Sequence, residues 1–202
     1  LIGPEVQTFF QVNAGQSLMQ STYSPKSVQA ELLNNYTIVP ARSEHLSALA
    51  DIELDAAKLF PSNLLPPGLS GHTVSLDALH DGMTNELLWV AVESNDSPVG
   101  FILLSVHDGM MFIKEMDVHP HHQQQGLGSA LIRTALSAAR QRGFTRAALT
   151  TFSSLPWNAP FYRKLGFTTL DYGNTPRVIR TILDNESDAG LKDRVAMVKD
   201  LQ

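Results

Sequence analysis

From Tyr36 onward the chain switches between two hydrophobic spacings, and the switches mark its elements. Tyr36–Ala41 reads as a strand. Ser43 then stands where a helix N-cap belongs, and Leu46, Leu49, Ala50, Ala56, Ala57 and Phe60 recur at helical spacing. Pro61, Pro66, Pro67, Gly68 and Gly71 interrupt the pattern and predict a long loop, with Leu76–His80 as a short helix. Three apolar runs follow: Glu86–Val92, Val99–Val106 and Met111–Val118. They are separated by Asn95-Asp96-Ser97-Pro98 and His107-Asp108-Gly109. Short polar turns between apolar runs predict antiparallel hairpins in a meander.

The period then returns to that of a helix. Leu127, Ala130, Leu131, Thr134, Ala135, Ala138 and Ala139 fall on one face, with Gly143 as the stop. Arg146–Phe152 reads as a strand. Asn158 stands at the cap of a short helix ending at Leu165, with Pro160 in its first turn. Phe167–Asp171 reads as a strand, Thr175-Pro176 opens a helix carrying Val178, Ile179, Ile182 and Leu183, and Arg194–Lys199 is the last strand. This order predicts an α+β fold: a mixed, mostly antiparallel sheet flanked by helices, with one parallel step. Residues 1–35 show no sustained period and are rich in Gln, Ser and Asn, with Ser27–Leu33 as a candidate helix. The predicted organisation is therefore an N-terminal arm of unknown role over 1–35 and one domain over 36–202.

Composition narrows the chemistry. The 202 residues suit one domain plus an appendage, and a core of that size needs no disulfide or metal staple. With no cysteine there is no thiol nucleophile, redox dithiol or cysteine-based zinc site. A net charge of 15 − 20 = −5 argues against a nucleic-acid binder. No run approaches the ~18 apolar residues of a membrane span. The first basic residue is Lys26, and no apolar core follows a charged start, so the expectation is a cytoplasmic protein without a secretory signal. The arm leaves a homodimer open.

The sharpest local signal is Gln123-Gln124-Gln125-Gly126-Leu127-Gly128-Ser129, between a strand and an amphipathic helix. A helix start offers unpaired backbone N–H groups and the positive end of the dipole. Glycines there let the backbone approach a ligand with no Cβ in the way, which makes an anion cradle suited to phosphate or pyrophosphate. No Lys-Ser/Thr follows the glycines, so the pattern is not a P-loop. Leu131 stands where a dinucleotide fingerprint needs its third glycine. A tight strand-to-helix turn with no ligand remains the competing reading.

Val118-x-Pro120-x-x-Gln123-x-x-Gly126-x-Gly128-x-x-Leu131 resembles motif A of the GNAT superfamily, the acyl-CoA-dependent N-acetyltransferases. Further along, Phe161-Tyr162-Arg163-Lys164-Leu165-Gly166-Phe167 resembles the superfamily's Y-x-x-x-G-F helix. Pro156–Tyr162 and Arg194–Met197 are similar to one uncharacterised branch, and the resemblance covers about Tyr36 to Leu201. Gln125 departs from the frequent Arg or Lys, and Asn158 lies closer to Tyr162 than the corresponding Asn in many members.

The resemblance implies a sheet split between the fourth and fifth strands, here Met111–Val118 and Arg146–Phe152, with acetyl-CoA lying in the split. It implies that the backbone of Gln123, Gln124, Gln125, Gly126, Leu127, Gly128 and Ser129 holds the pyrophosphate. The pantetheine arm would pair with Met116, Asp117 and Val118, and Asn158 is a further candidate cofactor contact. Tyr162 is the implied general acid for the leaving sulfur, and its ordinary pKa near 10 suits that task. Glu115 is the implied base, since this branch often has a carboxylate there. Asp117 lies on the same face by strand alternation, and His119 is another candidate base. A cleft could raise the Glu115 pKa toward neutrality.

His119, His121 and His122 are read as a polar loop, with no metal expected. Trp157 and Phe161 are read as wall and core residues. Leu59–His80 and Asp171–Arg177 are expected to enclose the acceptor, with Asp77 and Asp81 able to attract a cation. The acceptor is expected to be a small-molecule amine or an amine of a peptide or protein. The alternatives kept open are a non-catalytic acyl-CoA-binding sensor or scaffold, and a transferase for a longer acyl group.

Overall fold

The computed structural model describes residues 32–33, 35–69 and 71–201. They form one sheet of eight strands: β1 (Leu32–Leu33), β2 (Tyr36–Pro40), β3 (Leu88–Glu93), β4 (Pro98–His107), β5 (Met110–Val118), β6 (Arg146–Phe152), β7 (Thr168–Thr169) and β8 (Arg194–Asp200). The helices are α1 (Leu46–Ala57), α2 (Leu76–Thr84), α3 (Leu127–Gln141), α4 (Ala159–Lys164) and α5 (Arg177–Asp188). The sheet order is β1-β2-β3-β4-β5-β6-β8-β7, and every pair is antiparallel except β5 with β6. This is the expected mixed α+β sheet, with the meander β2 to β5 and the β5–α3–β6 crossover where the spacing placed them.

Helices cover both faces. On one face α3 buries Leu127, Ala130, Leu131, Ile132, Ala135, Leu136, Ala138 and Ala139 against Ile38, Ala91, Ile102, Met111 and Leu149. On the other, Leu46, Leu49 and Ile52 of α1 pack against Val90, Val92, Phe101 and Leu103. On that same side, Ile179 of α5 packs on Met110, Phe112, Ala148 and Ala196.

Three local expectations change. Arg42, not Ser43, is the N-cap of a single 3-10 turn over Ser43–His45 that leads into α1. Thr168–Thr169 alone pairs with β8 where Phe167–Asp171 was expected, because Phe167 turns into the core and Tyr172–Asn174 coils into a short turn. Within the candidate helix 27–33, Leu32 and Leu33 are strand and pair with Thr37 and Tyr36; the rest lies outside the described residues.

Two irregularities in β5 position the site. Parallel pairing with β6 is confined to Met111–Ala147 and Phe112–Ala148, and beyond those pairs the two strands diverge. This is the split expected between the fourth and fifth strands, which become β5 and β6 once β1 is counted. The second irregularity is a bulge. Leu103 faces Glu115 while Leu104 faces Ile113, so Lys114 is an extra residue. Before the bulge Met111 and Ile113 point to α3; after it Met116 and Val118 do. Glu115 and Asp117 are thereby turned to the side of α1 and α5.

Candidate active site

The glycine loop begins after β5. Pro120–His122 makes one 3-10 turn, and the Gln123 side chain donates from Nε2 to Val118 O at 3.0 Å, which folds the loop back on the strand end. Gln124 (φ 60°) and Gly126 (φ 83°) both take left-handed backbone, so the chain reverses sharply into α3. A residue with Cβ resists that conformation, and Gly126 meets it without cost. The Ala130 amide bonds back to Gly126 O at 3.0 Å. The amides of Leu127, Gly128 and Ser129 precede it and face out of the helix start, as the first amides of any helix do. A Cβ at Gly128 would lie 3.5 Å from Phe161 and 3.7 Å from the Met116 methyl, in ordinary contact, so the start of α3 lies close to both α4 and β5.

The loop's other side chains tie it down. Gln125 Nε2 donates to the Tyr36 hydroxyl at 3.1 Å, and that hydroxyl lies 2.9 Å from His122 Nδ1. Gln125 thus anchors the loop to β2. His119 Nδ1 accepts from the His121 amide, which leaves Nε2 to donate to Asp55 Oδ2 at 3.1 Å.

The split lies next to this loop. Asn158 is the N-cap residue just before α4, but its side chain makes no cap hydrogen bond. Its Nδ2 donates to Thr151 Oγ1 on β6 at 2.9 Å, and its Oδ1 is buried with no hydrogen-bond partner among the described residues. Tyr162, one turn further on, is 8% exposed, with its ring against Phe161 and Phe167 at centroid distances of 5.2 and 5.8 Å. Burial, then the charges of Glu115 and Asp117, push its phenol well above the ordinary range, while Arg194 pulls the other way. A phenol carried on the α3 side therefore feels carboxylates on the α1 side, which the divergence of β5 and β6 allows.

Sequence reasoning missed the third carboxylate, Glu53 of α1. One carboxylate oxygen each from Glu53, Glu115 and Asp117 lie within 4.8 Å of one another. Burial, then Glu115, raise Glu53 to about 8, against a hydrogen bond donated by the Val74 amide to Oε2 at 2.9 Å. Burial also raises Glu115 and, helped by the other two carboxylates, lifts Asp117 well above its usual range. The missed signal was positional. Glu53 follows Leu46 and Leu49 by seven and four residues, so a charge sat on the helix's apolar face.

Arg194 was legible only as the start of the last strand. It is held by both oxygens of Glu186, at 3.0 and 2.8 Å, donates to Thr150 Oγ1 at 3.2 Å, and lies 4.6 Å over the Phe152 ring. Its charge is the largest influence opposing burial at Glu115. Of the two loops expected at the acceptor, 59–80 reaches the site: Phe60 packs on Phe152 at 5.6 Å, and Val74 bonds Glu53. In the other, Tyr172 turns onto α5 and donates to Asp184 at 2.7 Å.

The carboxylate cluster has a measurable consequence for stability. Glu53 ionises near 8 in the fold against an ordinary 4.5, so the native state holds a proton that the unfolded chain gives up. The stability this represents is complete below pH 4.5 and is lost as pH rises through 8. At 1.36 kcal/mol per unit the ceiling is about 5 kcal/mol. Wild type is expected to lose denaturation midpoint between pH 5 and 8.5. Glu53→Gln is expected to show a flatter profile and to be the more stable protein at pH 8.5. Parallel profiles would contradict this.

Among the described residues no helix is long and apolar enough to cross a membrane. Comparison with known proteins adds the following. A family model described as Acetyltransferase (GNAT) family matches residues 57–167, more than half of the chain. The rat (Rattus norvegicus) protein N-acetyltransferase family 8 member 3 is 37% identical over 86 residues, covering 39% of this chain and 37% of that protein. The matched stretch thus spans little more than a third of that relative. The N-acetylglutamate synthase of Neisseria gonorrhoeae, solved with coenzyme A and N-acetyl-glutamate, superposes with a TM-score of 0.61 at 18% identity. That match covers 83% of this chain and 35% of the synthase. The PaiA N-acetyltransferase of Thermoplasma acidophilum, solved with coenzyme A, gives 0.61 at 16% identity over 82% of this chain and 98% of its own. At these identities the structural likeness establishes the fold.

Proposed function

Because the chain belongs to the acetyltransferase (GNAT) family, we propose that it transfers an acetyl group from acetyl-CoA to a primary amine, with residues 36–202 as the working domain and the cytoplasm, where the donor is available, as its location. The observation that carries this reading is Tyr162 within electrostatic range of Glu115 and Asp117 at the split, beside a helix start whose first amides, Leu127 to Ser129, have no intrahelical acceptor.

The residues present fit the donor. The amides of Gln124 to Ser129 suit its diphosphate, while that of Gln123 already donates to Pro120 O at 3.4 Å. The edge of β5 over Met116, Asp117 and Val118, unpaired with β6 there, suits an extended amide chain. The orphaned Oδ1 of Asn158 suits a donated N–H. Acetyl-CoA would supply an activated acyl thioester.

The chain's own groups supply the proton chemistry. A primary amine is mostly protonated at neutral pH and must lose a proton to become a nucleophile. Glu115, raised by burial, is matched to accept it. Tyr162 keeps its phenolic proton at neutral pH and holds it for the sulfur as the C–S bond breaks and the C–N bond forms. Overall one ammonium becomes one amide, one thiol is formed and one proton is released. Val118 N–H, at the strand end, is the candidate donor to the carbonyl oxygen as charge develops there.

The test is thiol release from acetyl-CoA across a panel of primary amines, run alongside propionyl- and succinyl-CoA. Amine-dependent release, fastest with the acetyl donor, is expected. Tight CoA binding with no release on any amine would point to a sensor and overturn the reading.

A further inference from the structure

We infer that Glu53, Glu115 and Asp117 form a three-acceptor pocket for the ammonium group of the acceptor, and that this acceptor is a primary alkylamine with no carboxylate beside its nitrogen. The inference deepens the proposed acetyltransferase reading and rests on it.

Two observations carry it. The first is spacing. A primary ammonium has three N–H donors in tetrahedral array. With acceptors about 2.8 Å from nitrogen, the three oxygens stand about 4.6 Å apart. The three side chains offer one oxygen each within 4.8 Å of one another, from two elements that pack face to face, α1 and β5. The second is an orphan. Asp117 Oδ2 is buried with no hydrogen-bond partner among the described residues, and an N–H donated to it would satisfy it.

The surroundings agree. Lys114 at the bulge lies within electrostatic range of Glu115, Asp81 and Glu53, so several carboxylates stand against its one charge. Arg194 nearby is gripped by both oxygens of Glu186, which compensates its charge. Tyr162 is neutral. Without a ligand the trio must share protons, and an ammonium replaces them with a positive charge and three donors.

The pocket also discriminates. An α-amino acid carries its carboxylate two bonds from the nitrogen and would press it against three more. An amine on a methylene chain brings no such charge, and the Phe60–Phe152 pair beside Arg194 offers its stem an apolar wall. Such an amine occurs free, as a diamine, or at the end of a lysine side chain.

The experiment is calorimetry on the full chain saturated with CoA, using 1,5-diaminopentane, Nα-acetyl-lysine amide, the ε-trimethylated form of the latter, and glycine. At least one of the first two is expected to bind, and the tighter of them tells free amine from side chain. Glycine is expected to bind at least tenfold more weakly, and the trimethylated probe, with no N–H, at least a hundredfold. Asp117→Asn and Glu53→Gln each remove like-charge repulsion, so folding is retained, which a melting curve verifies. Each is expected to weaken the amine at least tenfold, and Glu53→Gln, which lies on α1 outside the donor-binding edge of β5, is expected to leave CoA affinity unchanged. Glycine binding as well as the alkylamines, unaltered affinity in both variants, or a pocket that takes Mg2+ or Ca2+ alone and excludes the amine would overturn the inference while CoA still binds. A chain that binds no CoA would overturn the acetyltransferase reading along with it.

Discussion

Tyr162→Phe is expected to lower amine-dependent thiol release by roughly 10²–10⁴-fold, the usual worth of one positioned acid. The substitution removes one oxygen and keeps the ring. The edge contacts with Phe161 and Phe167, at 5.2 and 5.8 Å, remain, so the fold and the CoA affinity should stay within a few-fold of wild type. The loss should fall on kcat, because the phenolic proton is needed only as the sulfur leaves. The direction of the phenol's shift matters here. Burial and the two carboxylates hold the hydroxyl protonated far above neutral pH, so it is always loaded as an acid. Stopped release with intact CoA binding is the expected result. A variant that turns over at the wild-type rate would mean that water or another group protonates the sulfur, and Tyr162 would revert to a packing aromatic.

Gly126→Val is expected to remove measurable CoA affinity. The loop reverses through φ 83° at Gly126, a conformation that costs a β-branched residue about 1–2 kcal/mol. Relief comes only by rotating the backbone, which turns the following amides away from the anion. Losing two hydrogen bonds to a charged group, at about 1.5–3 kcal/mol each, corresponds to 10²–10⁴-fold in Kd. Gly126→Ala should fall between wild type and Val. Calorimetric titration with CoA reads the effect, and circular dichroism shows that the variant is folded. The site lies at the surface between β5 and α3, so the strain should cost affinity more than stability. Near-normal CoA binding by a folded Gly126→Val protein would remove the glycine loop from the donor site.

Most of the scaffold was legible because its signals are local. The stripe from Leu127 to Ala139 became the buried face of α3, and two short polar turns set the β3-β4-β5 meander. The loop from Gln123 to Ser129 announced itself through glycine spacing, and Tyr162 through its motif. Where propensity misled, a neighbour decided. Ser43 lost the cap to Arg42, whose guanidinium bonds Glu44 and Asp96. Asn158, a good cap by type, turned its amide to Thr151 on β6.

What the linear chain determined by itself was the order and type of its elements and the anion-ready turn at Gly126, because hydrophobic period, glycine and proline act over a few residues. What only the tertiary structure decided was the company each charged group keeps. The extra residue at Lys114 turns Glu115 and Asp117 to the face where α1 brings Glu53 from 62 residues away in sequence, counted from 115 − 53. The divergence of β5 from β6 lets a phenol on one side of the sheet feel carboxylates on the other. Burial and mutual repulsion then set the proton affinities of the whole group, and both depend on distances through space that no local spacing encodes.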